Sequence, residues 1–194
     1  MIVSPFVVVL DANVLFPFAL RDTLFRAAES GLYSARWSDE ILAETSRNLV
    51  KRRKLEPLQA ARLVAQIDAA FPEAKIAVPN ALINGMQNDP GDRHVAAAAV
   101  VAGAQVIVTI NVRHFRQLPD GIEAQHPDEF LCHLVGLAPG LFPQLIAAQA
   151  AALRKPPYAR DQLLDCLAKV VPKFVSEVRA EITSAVNPAF SVKF

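Results

Sequence analysis

Four polar residues stand where a fold could gather them. Asp11 directly follows the apolar run Phe6-Val7-Val8-Val9-Leu10, Glu44 lies inside a helix-forming stretch, Asp92 opens a second such stretch, and Asn111 ends the largely apolar run Gln105 to Ile110. Three carboxylates and an amide brought to one edge repel one another unless a divalent cation neutralises them. All-oxygen ligation of this kind suits Mg²⁺ or Mn²⁺, which keep several waters and hold substrate phosphates through their remaining positions. The chemistry implied is metal-assisted hydrolysis of a phosphodiester, the ion activating water and steadying charge on the phosphate and the leaving oxygen. Each residue also has a plainer reading: Asp11 can start a turn, Glu44 can pair with a basic residue, and Asp92 can cap its helix. Their joint occurrence is what gives the metal reading its weight.

The surrounding elements must supply that gathering. Five consecutive apolar residues rich in Val read as a strand covered on both faces, the habit of a central strand in a parallel sheet. A carboxylate straight after it sits at the C-terminal edge, where open parallel sheets place their ligand crevices. Asp22 or Thr23 can cap a helix that Gly31 ends, and Leu32 to Arg36 reads as a short strand. Ser38 offers an N-cap to a helix with Asp39 and Glu40 in its first turn and Lys51-Arg52-Arg53-Lys54 near its end, both favoured by the helix dipole. Glu44 falls on or beside the buried face of that helix, where a carboxylate needs a partner or a purpose.

Further on, Leu55 to Phe71 reads as a helix with Pro57 in its first turn, and Lys75 to Val78 as a brief strand. Asn88-Asp89-Pro90-Gly91-Asp92 is a polar turn leading into Val95 to Ala102, a small-residue helix that can pack close to a sheet and carry Asp92 toward the strand ends. Ile122 to Gln125 makes a last strand and Pro127 to Leu134 a helix. This alternation argues for a doubly wound α/β/α sandwich with a central parallel sheet over residues 1–135. Residues 136–194 form a helical C-terminal extension, broken at Lys155-Pro156-Pro157 and kinked or split at Pro172. Its stripes Leu141, Phe142, Leu145, Ile146 and Leu163, Leu167, Val170, Phe174 must be covered, either by the domain's own helices or by a partner.

Composition narrows the class. The chain has 194 residues, 53% of them hydrophobic, and a net charge of +1 that conceals the basic block at 51–54. No apolar run reaches the roughly 18 residues that cross a bilayer, and Met1 to Pro5 lacks a basic leader, so a cytoplasmic protein without a membrane partner is expected. Cys132 and Cys166 are far from any zinc-like spacing and read as core thiols. A phosphatase that begins with strand-then-Asp needs a second acid two residues on, and Asn13 stands there. A nucleotide-binding module would want a glycine-rich loop after the first strand, and none follows.

Taken together, Val9-Leu10-Asp11-Ala12-Asn13-Val14-Leu15, Ser38 to Glu44, Asp89-Pro90-Gly91-Asp92-Arg93-His94-Val95-Ala96-Ala97-Ala98 and Ile107-Val108-Thr109-Ile110-Asn111 with Phe115 resemble the PIN-domain nucleases, and more narrowly the VapC-like toxins of bacterial toxin–antitoxin pairs. The resemblance covers roughly residues 6–131. It implies a sheet bearing an acidic pocket, a Mg²⁺ or Mn²⁺ ion, endonucleolytic cleavage of RNA, and a protein antitoxin as partner; a homodimer is expected too. A non-toxin RNA-processing nuclease and a catalytically inactive RNA-binding module of the same fold are the alternatives. Asp11, Glu44 and Asp92 fall on the acidic motif positions, with Asp11 and Asp92 as metal ligands. Asn111 falls where many members carry Asp, and an amide there can orient water without adding charge. Asn13 and Thr109 resemble the supporting polar residues, while Asp89 either caps its helix or supports the site. His94 reads as helix-surface packing, and His114, where the family often has Asp before Phe, is given no role. The block Lys51, Arg52, Arg53 and Lys54 is either a solvated helix end or a phosphate-contacting patch for RNA.

Overall fold

The Val-rich run after Phe6 does become the central strand. The structure, a computed structural model, describes residues 6–53, 55–153 and 158–186. In chain order it has β1 (Val7–Leu10), α1 (Ala12–Leu15), α2 (Phe18–Glu29), β2 (Ser34–Ser38), α3 (Asp39–Arg53), α4 (Pro57–Ala70), β3 (Lys75–Ile76), α5 (Asn80–Gly85), α6 (Arg93–Ala102), β4 (Val106–Val108), β5 (Glu123–Gln125), α7 (Pro127–Leu137), α8 (Leu141–Ala152), α9 (Arg160–Ala168) and α10 (Pro172–Val186). The five strands are all parallel and ordered β3-β2-β1-β4-β5. The chain moves to one side of β1 to make β2 and to the other to make β4, so the C-terminal end of β1 is the point where the winding reverses. Open α/β sheets form their crevices at that point.

Register decides what reaches the crevice. Leu10 pairs with Val108, and the ladder continues one residue further because the Asp11 amide donates to the Val108 carbonyl at 3.1 Å. Thr109 in turn donates its amide to Gln125 at 3.0 Å. Asp11 and Thr109 therefore emerge side by side from adjacent strands. Behind them the small face of α6, Ala96 to Ala99, is fully buried, and Gly103 ends the helix in the left-handed region at φ +60°, which glycine adopts without strain.

Several boundaries differ from the sequence expectation. Helix α2 begins at Phe18, after Pro17, so Asp22 and Thr23 are not its cap. Asp22 pairs with Arg26 one turn on, and Thr23 is fully buried, donating to the Ala19 carbonyl. Strand β2 runs from Ser34 to Ser38, two residues late at each end, yet the Ser38 hydroxyl still accepts from the Ile41 amide at 3.3 Å. Pro57, Pro127 and Pro172 each stand first in their helices, where no amide donor is missed. Pro172 thus separates α9 from α10. The break at Lys155-Pro156-Pro157 lies outside the described residues.

The C-terminal helices cover their stripes with the chain's own surface. Leu163, Leu164, Leu167, Phe174, Val175 and Val178 belong to the same buried cluster as the strands. Phe130 of α7 meets Tyr33 edge-on at 5.1 Å and Phe142 meets Phe174 at 5.2 Å, geometries that aromatic quadrupoles favour. Two buried polar contacts fix the arrangement. Gln149 of α8 accepts from Thr23 and donates to the Ala19 carbonyl of α2, both at 2.9 Å. Asp128 of α7 accepts from the amides of Lys173 and Phe174, at 3.2 and 2.9 Å, and so caps α10 from another helix. Among the described residues no single helix is long and apolar enough to cross a membrane; α7 and α8 together pass by length and composition but are bent by 119°, and Phe130, Leu131, Leu134, Phe142 and Ile146 on them are buried in the core.

Because Asp128 satisfies two otherwise orphaned amides at a buried helix start, Asp128→Ala is expected to lower unfolding free energy by about 2 kcal/mol in urea titration. Asp128→Asn should lose less, since its carbonyl oxygen can still accept.

Candidate active site

Asp11 is the deepest member of the site. Its residue is 1% exposed, and one carboxylate oxygen accepts from the Thr109 hydroxyl at 2.7 Å and from the Asn13 amide at 2.5 Å. The supporting pair is itself held. Asn13 also donates to the Thr109 oxygen at 2.9 Å, and its own carbonyl accepts the Ile110 amide at 2.9 Å. The Thr109 oxygen accepts the Asn111 amide as well. Asn13 and Thr109, read from the sequence as supporting residues, are both bonded to Asp11. Burial, opposed by the Thr109 hydrogen bond and reinforced by the charges of Asp92 and Glu44, pushes the Asp11 carboxyl up to about 6. Three carboxylates therefore feel one another at the switch point.

The other two acids are each met by a histidine. His94 is not on the surface of α6, contrary to the expectation, but buried, with Nε2 3.3 Å from Glu44 Oε2. By geometry His94 Nε2 has no hydrogen-bond partner among the described residues, so the contact with Glu44 is an electrostatic one. The imidazole beside it, with burial opposing, holds the Glu44 carboxyl below its ordinary range. For His94, burial pulls the pKa down, but Glu44, with Asp11 and Glu40 beyond, outweighs it and leaves the ring above its usual value. Asp92, which the sequence placed at a helix start, forms the end of a single 3-10 turn over Pro90–Asp92 and makes no capping bond with its side chain. Its Oδ2 instead lies 2.7 Å from Nδ1 of His114, a residue assigned no part by sequence. Asp89 caps the same turn by accepting the Gly91 amide at 3.0 Å. Ligand atoms of Asp89, Asp92 and His114 lie within 4.8 Å of one another.

Asn111 is half-buried and follows Thr109 by two residues; its backbone amide donates to the Thr109 hydroxyl and its backbone carbonyl accepts from the His114 amide. Lys51, Arg52 and Arg53 of the basic block stand in the last turn of α3. Lys51 and Arg52 are exposed, and the Arg52 guanidinium lies over the Phe16 ring at 5.4 Å, directly beyond the α1 turn that begins after Asp11. Nothing is described of the Arg53 side chain, and Lys54 lies outside the described residues.

A divalent cation fits this donor set. A carboxylate raised first by burial and then by the charges of Asp92 and Glu44 has a deficit of positive charge that an oxygen-seeking ion would relieve. The family follows from comparison: the family model described as PIN domain matches residues 7–113, more than half of the chain. The chain belongs to the PIN-domain family. A second family model, the VapC50 C-terminal domain, matches residues 127–180, which begin with α7 and end within α10. One relative, "Putative ribonuclease VapC50" of Mycobacterium tuberculosis, is 41% identical over 103 residues, a stretch covering 52% of this chain and 61% of that protein. The four acidic or amide positions and both histidines lie on the PIN domain or, for His114, one residue past its match.

The raised Asp11 pKa has a sign that can be checked. An acid raised in the folded state costs stability once it ionises, so in metal-free protein the cost is absent below about pH 4 and complete above about pH 6. Asp11→Asn is expected to raise metal-free stability at pH 7.5 by roughly 1–3 kcal/mol, a gain that shrinks toward zero by pH 4 in denaturant titrations. In the parent, Mn²⁺ affinity should fall as pH drops through about 6, because the proton and the ion compete for Asp11.

Proposed function

We propose that this PIN-domain chain is a metal-dependent endoribonuclease and the toxin of a toxin–antitoxin pair. The observation that carries the reading is the buried Asp11 carboxylate at the switch point, within electrostatic reach of Asp92 and Glu44. Relatedness to a protein described as a ribonuclease supports the choice of RNA over other phosphodiesters.

Asp11 and Asp92 would hold Mg²⁺ or Mn²⁺, which when bound supplies an activated water and a counter-charge for the phosphate. The chain's own residues do the rest. Thr109 and Asn13 fix one oxygen of Asp11, so that the carboxylate keeps a single orientation. Glu44, kept ionised by His94, supplies the remaining negative charge and can accept a proton from the attacking water. Asn111 stands at the mouth of the same edge, where its carboxamide can orient water or a phosphate oxygen without adding charge. Lys51 and Arg52 offer cations to the RNA backbone on the α1 side of the pocket, giving affinity rather than sequence preference.

We assign the chemistry to residues 1–135 and a bracing role to the helices α8, α9 and α10 that follow, as the sequence suggests. We place the protein in the cytoplasm, with RNA as substrate, a protein antitoxin inserting a segment into the acidic groove, and a homodimer as the working form.

Purified protein is expected to cut RNA with Mg²⁺ or Mn²⁺ and to stop in EDTA. Asp11→Asn and Asp92→Asn should each lower turnover by at least ~100-fold while keeping the fold, because they remove charge and not volume. Cleavage undiminished by chelator, with contaminating nucleases excluded, overturns the metal reading. Expression alone should slow bacterial growth and co-expression of a cognate antitoxin should relieve it; normal growth with active enzyme present favours an RNA-processing role instead.

A further inference from the structure

The turn that carries Asp92 is clasped by residue 114 twice. The His114 carbonyl accepts the Asp89 amide at 3.1 Å, and the His114 ring reaches Asp92 Oδ2 at 2.7 Å. An ionised carboxylate can only accept, so the ring Nδ1 carries the hydrogen and donates it. The ring's own position is set from below: Phe115 next to it is buried, and the His114 amide donates to the Asn111 carbonyl at 2.9 Å, closing the 3-10 turn Val112–Phe115 after β4. On the other side, Asp92 donates its amide to the Asp89 carbonyl at 2.9 Å. Asp92 side chain is only 14% exposed, while His114 is 30% exposed. Its carboxylate therefore has one oxygen tied to a rigid donor and cannot rotate freely.

We infer that His114 is a positioning residue for the metal centre, holding the Asp92 carboxylate in its ligating orientation from the 3-10 turn that follows β4. The inference rests on the reading of Asp11 and Asp92 as metal ligands. Thr109, which follows β4 directly, holds Asp11, so the segment after β4 supplies a donor to each of the two ligands. Partners of this kind, which hydrogen-bond a ligand without touching the ion, commonly govern metal affinity by 10- to 100-fold.

The test is a donor series in the full chain: His114→Leu, His114→Gln and His114→Asn, with Asp11→Asn as the control on the metal centre. Asn places its side-chain N–H the same number of bonds from Cα as the histidine Nδ1, whereas Gln places it one bond further. Calorimetric titration with Mn²⁺, without RNA, is expected to show affinity lowered by roughly 10- to 100-fold in His114→Leu and His114→Gln, and near the parent in His114→Asn. RNA binding in EDTA should be unchanged across the series, as should the urea midpoint between the Gln and Asn variants, so a general loosening of the fold would not give this pattern. Parental Mn²⁺ affinity in His114→Leu and His114→Gln, no rescue by Asn, or nitrogen hyperfine coupling from the His114 ring to bound Mn²⁺ would each overturn the inference, the last by making His114 a ligand. If Asp11→Asn binds Mn²⁺ like the parent, the metal centre itself is misplaced and the inference goes with it; if only the His114 variants do, the centre stands.

Discussion

The fold's central demand is a carboxylate held in a nearly dry place. Asp11 ends a strand whose residues Val8 to Leu10 are wholly buried, and the β1–β4 register carries it one step into the crevice with no freedom to swing out. Removing such a charge from water costs several kcal/mol even after relaxation. Two hydrogen bonds from Thr109 and Asn13 offset part of that, each worth roughly 1.5–3 kcal/mol when the acceptor is charged. The remainder shows in a carboxyl held near neutrality, at about 6. Such a site is unstable toward either a proton or a cation, and that is the condition under which a cation binds tightly.

The two flanking acids are treated differently. Glu44 sits on α3 facing the first turn of α6, and His94 there lowers its pKa, opposite in direction to Asp11. Environments that push neighbouring carboxylates apart in this way assign them different work: Asp11 awaits a counter-ion, and Glu44 is already charged without one. Each of the three carboxylates has its own donor or cation from a different element, so the negative charges do not relax by turning away from one another.

Much of this was legible before any coordinates. A Val-rich strand entering an acid, a second apolar strand ending in Thr and Asn, and a small-residue helix in front of Asp92 follow from local chemistry, and they fixed the strand edge and its polar residues. The histidines were not legible, because their roles depend on how close α3 comes to α6 and the β4 turn to the Asp89 turn. A signal existed for one of them. Glu44 lay on a buried face and needed a partner, and His94 stood in a helix otherwise made of small apolar residues, where a surface position was the weaker reading. The late start of β2 and the early start of α2 escaped for a similar reason: Pro17 and the pairing of Ser34 with Val7 set them, not the capping potential of Asp22.

The extension is where sequence and packing divide the chain differently. A change in pattern near residue 136 suggests an appendage, yet its helices share one core with the sheet, and the extension meets the first half of α2, from Phe18 against Tyr158 to Thr23 against Gln149. Helix α2 leads directly from the α1 turn that starts at Asp11. At the opposite end of the sheet, Phe6 and Tyr33 pack on Phe130 of α7. The extension thus packs beside the end of the strand that delivers Asp11, while Phe130 of α7, still within the nuclease domain, covers the other end. Burying Phe142, Leu163, Leu167 and Phe174 contributes roughly 1.5–3 kcal/mol each, a total far larger than any single hydrogen bond in the site. The geometry that keeps a costly carboxylate in place therefore depends on apolar surface contributed from outside the PIN domain itself.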